Sequence, residues 1–142
     1  MGAAEIGARW PRPGRRGAYL ITMGAAWVGY GAGIISDPRY GTARGLAALT
    51  RHVPLSALGW VWIACGGLAV LAGAWAHPRS QAGGFALLAA PAGVWAIGFT
   101  LAWAGGGFPS ASGSAFGWAG YTLGILWVSG LVEPPRRLRA GG

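Results

Sequence analysis

Long apolar runs alternate along this chain with short clusters of charge and proline. From Ser80 to Val132, 53 residues pass without an Asp, Glu, Lys, Arg or His. One straight helix of that length would extend roughly 80 Å at ~1.5 Å per residue, whereas a bilayer core is ~30 Å thick. The stretch therefore folds back once. Gly105-Gly106-Gly107-Phe108-Pro109-Ser110-Ala111-Ser112-Gly113 is where its composition allows the turn. With two earlier apolar runs, the pattern predicts four membrane-length helices, at about 18–35, 54–76, 83–104 and 114–132.

The boundaries carry their own signals. Asp37-Pro38 ends the first run, and Pro54 suits the first turn of the second. His77-Pro78-Arg79 separates the second from the third, and Glu133-Pro134-Pro135 stops the fourth. Pro91, in the middle of the third, predicts a kink that a neighbouring helix can cover. Residues 36–53 are the one sizeable connection. There Arg39, Arg44, Arg51 and His52 alternate with Leu46, Ala47 and Leu49. Between Thr42 and Arg51 the two kinds separate onto different faces of a short helix lying in an interface; a solvated loop fits the same residues.

Small residues recur every three or four positions in two runs: Ala25, Gly29 and Gly33 in the first, and Gly113, Gly117, Gly120 and Gly124 in the last. This small-xxx-small spacing lets helices approach closely in lipid. Gly29, Gly33, Gly117, Gly120 and Gly124 are accordingly the helix-packing candidates. Tyr19 at the start of the first run, and Trp60 and Trp62 against Trp75 at opposite ends of the second, suit aromatic belts at the two membrane surfaces. The expected architecture is all-α, an integral membrane antiparallel bundle of four transmembrane helices over residues 18–132. A basic leader (1–17) and a basic tail (133–142) flank it.

Composition strengthens this picture. Only 10% of residues are charged, against ~25% in soluble domains. The 28 glycines would be hard to accommodate in a soluble fold, and they explain why mean hydropathy is only +0.45. The net charge of +8 comes from eleven arginines, with no lysine. These cluster at the ends of apolar runs, so they read as orientation signals and not as a nucleic-acid surface. With four crossings, the side holding both termini carries Arg9, Arg12, Arg15, Arg16, Arg79, Arg136, Arg137 and Arg139. The opposite side carries Arg39, Arg44 and Arg51. Eight against three places both termini in the cytoplasm of a cell whose plasma membrane holds the protein. Arg15-Arg16 before an apolar run suggests a twin-arginine signal, but the flanking residues fit that pattern poorly. The run is expected to be a retained span.

Candidate chemistry is sparse. The inventory is Glu5, Asp37, Glu133, His52, His77 and Cys65. The four-span topology separates His52 from His77 and Asp37 from Glu133, leaving Asp37 with His52 on one side and His77 with Glu5 or Glu133 on the other. Neither pair comes with a placed nucleophile. Asp37 also lies within reach of Arg39 or Arg44, and Cys65 reads as a small buried apolar residue. No catalytic, cofactor-binding or metal-ligating residue is nominated, no cofactor is expected, and an enzyme is not expected. No span holds an ionisable group of the kind coupled transporters place in their bundles.

Arg15-Arg16-Gly17-Ala18-Tyr19, Trp27-Val28-Gly29-Tyr30-Gly31 and Leu58-Gly59-Trp60-Val61-Trp62-Ile63 make the chain resemble small four-span membrane proteins of actinobacterial phages and prophages, some of them labelled holin-like. The resemblance is one of layout and Gly/Trp texture over residues 15–132, and assigns no residue a role. It implies a passive pore former built by self-association. The alternative is a non-catalytic scaffold or accessory subunit of a larger membrane complex. The expected partners are the lipid bilayer and further copies or another membrane protein, with no nucleic acid.

Overall fold

A computed structural model describes residues 13–75 and 77–131. Among them every regular element is helical: α1 (Arg15–Ser36), α2 (Tyr40–Gly45), α3 (Ala47–Thr50), α4 (Leu55–Ala74), α5 (Pro78–Ala104) and α6 (Ala111–Ser129). The helices α1, α4 and α5 are long and apolar enough to cross a membrane. α6, at 19 residues, is slightly shorter than α1 and α4, and carries Ser112, Ser114, Tyr121 and Thr122 among its apolar residues.

Punctuation in the sequence accounts for the boundaries. α1 begins immediately after Pro13-Gly14 and takes Arg15 and Arg16 into its first turn, three residues ahead of the expected start. Pro54 is the extended cap residue before α4, outside the helix and not within its first turn. α5 begins at Pro78, five residues earlier than expected, because proline tolerates the first helical position. The His77 Nδ1 accepts the Arg79 backbone N–H at 3.2 Å and caps that end. The 36–53 connection is helical in two short pieces that break at Leu46.

The closest helix pair is α1 against α4. Gly17, Gly24 and Gly31 recur every seven residues on α1, and Gly59, Gly66 and Gly73 do so on α4. They meet in antiparallel register, Gly17 with Gly73, Gly24 with Gly66 and Gly31 with Gly59. A β-carbon at Gly24 would stand 2.5 Å from the Gly66 carbonyl oxygen, and one at Gly66 would stand 2.5 Å from that of Gly24. The α-hydrogens in those positions point at the carbonyls instead, the Cα–H···O geometry worth ~0.5–1 kcal/mol per contact. Between the glycines lie Leu20, Trp27 and Ile34 on α1, and Trp62 and Ala69 on α4. The alternating steps of three and four are a heptad pattern.

The sequence-nominated glycines take no part in this seam. Gly29, Gly33, Gly117, Gly120 and Gly124 have nothing within 4 Å of the place a β-carbon would occupy. Within the chain they meet no neighbouring helix, and the reason is angular. Gly29 and Gly33 each lie two residues past a seam position (Trp27 and Gly31), about 160° round the helix from it. On α6 the inward positions are Ala111, Ala115, Trp118, Thr122 and Ile125, and the glycines lie on the opposite side.

The helix α5 packs against α4, where Gly84 meets Ala72, and α6 lies antiparallel along α5, with Gly93 opposite Thr122 and Trp103 against Phe116. Pro91 is buried inside α5. Its missing N–H leaves the Leu87 carbonyl without its helical donor; the Trp27 Nε1 donates to the next carbonyl, that of Leu88, at 3.0 Å and ties α1 to α5 beside the proline. Gly24→Leu and Gly66→Leu are each expected to destabilise the protein by about 2 kcal/mol or more through overpacking. Gly29→Leu and Gly120→Leu should leave the stability of the isolated monomer within about 0.5 kcal/mol. Thermal unfolding in mild detergent separates the two groups.

Candidate functional site

Two places concentrate side chains that could act on something other than the fold: the aromatic centre and the end of the bundle covered by α2 and α3. At the centre, heptad spacing on α1 and α4 directs Trp27 and Trp62 toward the other two long helices. Trp62 is fully buried (0% exposed). Its ring lies 4.9 Å from Trp27, 4.8 Å from Tyr30, 5.1 Å from Trp95 and 5.3 Å from Trp118. Most of these contacts are edge-on, the arrangement ring quadrupoles favour. The expected surface belt is therefore corrected for Trp62, which is core, while Trp60 (62% exposed) and Trp75 (76% exposed) do lie on the outside.

Polar atoms at this centre are largely satisfied from neighbouring helices. The Trp95 Nε1 donates to the Tyr30 hydroxyl at 3.0 Å, and Trp27 is held by Leu88. The Trp62 Nε1 has no hydrogen-bond partner among the described residues. Thr100 and Thr122 donate to carbonyls one turn back, at 2.7 and 2.9 Å, and Ser129 does so three residues back at 2.6 Å. Such bonds leave these hydroxyls occupied within their own helices. The centre is lined by aromatic rings in mutual contact.

The covered end is different. Leu46, at the break between α2 and α3, is fully buried (0% exposed) and sits against Gly98 of α5, while Gly45 lies against the Phe99 ring. The absence of side chains at residues 45 and 98 lets this connection dock. With Leu46 turned inward, the arginines remain outward, the segregation expected between Thr42 and Arg51. The Arg44 Nη1 donates to the Tyr40 hydroxyl at 2.6 Å, and its guanidinium lies 5.8 Å from the ring centres of both Tyr40 and Phe108.

Two recesses flank this platform. One, of about 290 Å³, is lined by Gly29, Tyr30, Gly33, Asp37, Arg39 and Thr42. The other, of about 270 Å³, lies between α2–α3 and the end of α5 and has Arg44 and Arg51 on its rim. The nominated Gly29 and Gly33 thus line a concavity.

The titratable residues do not converge. Asp37 and His52 share no hydrogen bond, and among the described residues Asp37 forms no ion pair, so the expected pairing with Arg39 or Arg44 is not made. His77 caps α5 at the far end, while Glu5 and Glu133, its proposed partners, lie outside the described residues. Cys65 is half-buried and free. No group of three His, Cys, Asp or Glu residues stands ready to hold a metal among the described residues. Comparisons with protein-family models, with curated proteins and with solved structures find no match to this chain.

The aromatic centre makes a measurable prediction. Trp27→Phe keeps a ring but removes the Nε1 donor that ties α1 to the Leu88 carbonyl of α5. It should cost about 1 kcal/mol, read as a lowered unfolding midpoint in detergent, with Trp60→Phe as the surface control that leaves the midpoint unchanged.

Proposed function

We propose that the protein is a four-span integral membrane protein of the plasma membrane, non-catalytic, that acts by assembling side by side with further copies of itself. Holin-like passive permeation is the sharper form of this reading. The observation that carries it is the contrast between a filled interior and unfilled outward faces. Aromatic rings occupy the middle of the bundle, so a solute path has to run between copies. The outward glycine faces of α1 and α6, including Gly29, Gly33, Gly117, Gly120 and Gly124, meet nothing within the chain, and small residues are what helices in lipid use to approach one another.

The fourth crossing is supported by α6 lying along α5 for much of its length and carrying no charge. At ~1.5 Å per residue it is about 28 Å long, close to the thickness of a bilayer core. Arginine distribution supports cytoplasmic termini, and the layout resembles the small four-span membrane proteins of actinobacterial phages and prophages. A scaffold or accessory subunit of a larger membrane complex is the second reading. It is favoured by the same aromatic core, because a scaffold needs no polar path.

Two measurements test these readings. A reporter fused after Gly142 is expected to be cytoplasmic and one inserted near Ser110 external; the reverse result overturns the orientation. Inducible expression with a membrane-potential dye should show depolarisation that Gly120→Leu weakens along with self-association. Unchanged potential at high expression rejects the pore, and a stable partner recovered in detergent then favours the scaffold.

A further inference from the structure

We propose that the recess between α2–α3 and the end of α5 is a binding site for an anionic phospholipid, its phosphate held by Arg44 and Arg51. The site rests on the membrane reading above. It adds a ligand, a leaflet position and a role for arginines that orientation alone leaves unexplained.

The rim is cationic, with no acidic residue among its described lining. Arg44 and Arg51 are seven residues apart, and both line the same recess. Neither forms an ion pair among the described residues. Asp37, the chain's single aspartate, lines the other recess, beside Arg39. Arg44 is already positioned by the Tyr40 hydroxyl and the rings of Tyr40 and Phe108. Guanidinium groups suit phosphate oxygens because their N–H groups form a planar fork. A pre-positioned fork loses less freedom when it binds.

The walls are apolar, which separates a lipid from a free anion. Leu101, Ala102, Gly105 and Gly107 form the α5 side of the recess. From there Leu101, Ile97 and Val94 continue down α5 as an exposed apolar row at helical spacing. A phosphate on the rim would leave its acyl chain along that row. A soluble anion would gain nothing from it.

The charge distribution agrees. Arg39, Arg44 and Arg51 all lie on the face that the arginine count assigns to the outside, against the tendency that sets orientation. Basic groups at a membrane surface attract anionic lipids, and a docked platform holds two of them around one recess.

The test uses the full-length protein. It is first reconstituted in phosphatidylcholine vesicles and floated on a gradient. Failure to float with them overturns the membrane reading itself. Floating protein is then moved to nanodiscs of mixed phosphatidylcholine and phosphatidylglycerol, and lipid retained through detergent extraction is measured by native mass spectrometry. The expected result is about tenfold enrichment of phosphatidylglycerol, falling to about twofold or less in Arg44→Gln/Arg51→Gln. Arg51→Gln alone, at a side chain with no hydrogen-bond partner among the described residues, should lower enrichment without lowering the unfolding midpoint. Arg79→Gln, at the opposite end, should retain full enrichment. Equal retention of the two lipids, or enrichment untouched in the double variant, overturns the proposal. So does competition by millimolar inorganic phosphate that fully displaces the lipid, which would make the site one for a soluble anion.

Discussion

The backbone-to-backbone approach of α1 and α4 is the contact on which the rest of the molecule depends. In lipid there is little hydrophobic gain from bringing one apolar helix to another, so association rests on packing and on polar contacts between helices. Three glycine pairs at seven-residue spacing bring the two backbones close enough for α-hydrogens to face carbonyls. No residue with a side chain fits these positions without moving a helix. The seam is thus held by what its residues lack.

That closeness has a consequence for the large residues. Because the glycines leave no room between α1 and α4, Trp27 and Trp62 extend sideways, to where α5 and α6 bring Trp95 and Trp118. The aromatic centre is the product of the glycine seam and the heptad that alternates with it. It also binds the helices through polar atoms: Trp27 reaches α5 at Leu88, and Trp95 reaches α1 at Tyr30. A bundle locked this way has few means of opening a path through its own middle. Any permeation is thereby directed to the boundary between molecules.

The same device, glycine opposite a bulky side chain, works a second time at one end. Gly98 admits Leu46 and Gly45 admits Phe99, and the 36–53 connection settles onto α5 instead of projecting away. Its arginines are then carried to one edge with their backbone already ordered, which turns a basic loop into a surface with defined recesses. Neither a catalytic pair nor a metal cluster emerges there. What emerges is charge with no counter-charge among the described residues, beside an apolar wall.

Length, charge and proline determined the helices. A run of 53 residues without charge cannot remain one helix in a bilayer, and Asp37-Pro38, Pro54 and Pro78 mark boundaries by the geometry of proline alone. The helical character of 36–53 was legible as a segregation of arginine from leucine, though not its break at Leu46. The packing faces were not legible in the same way. α1 carries two rows of small residues, one at steps of four through Gly29 and Gly33 and one at steps of seven through Gly17, Gly24 and Gly31. The seven-residue row, mirrored on α4, meets that helix, whereas the denser four-residue row faces away from it. Which row meets a helix depends on where the neighbour lies, and that is set by all the helices packing together. The candidate lipid recess lay still further out of reach, since Arg44 and Arg51 meet Leu101 and Gly105 only through the tertiary fold. The sequence by itself determined where the long helices lie, to within a few residues at each end. The tertiary structure decided which side of each helix faces inward, because a helix has the same residues whichever way it is turned.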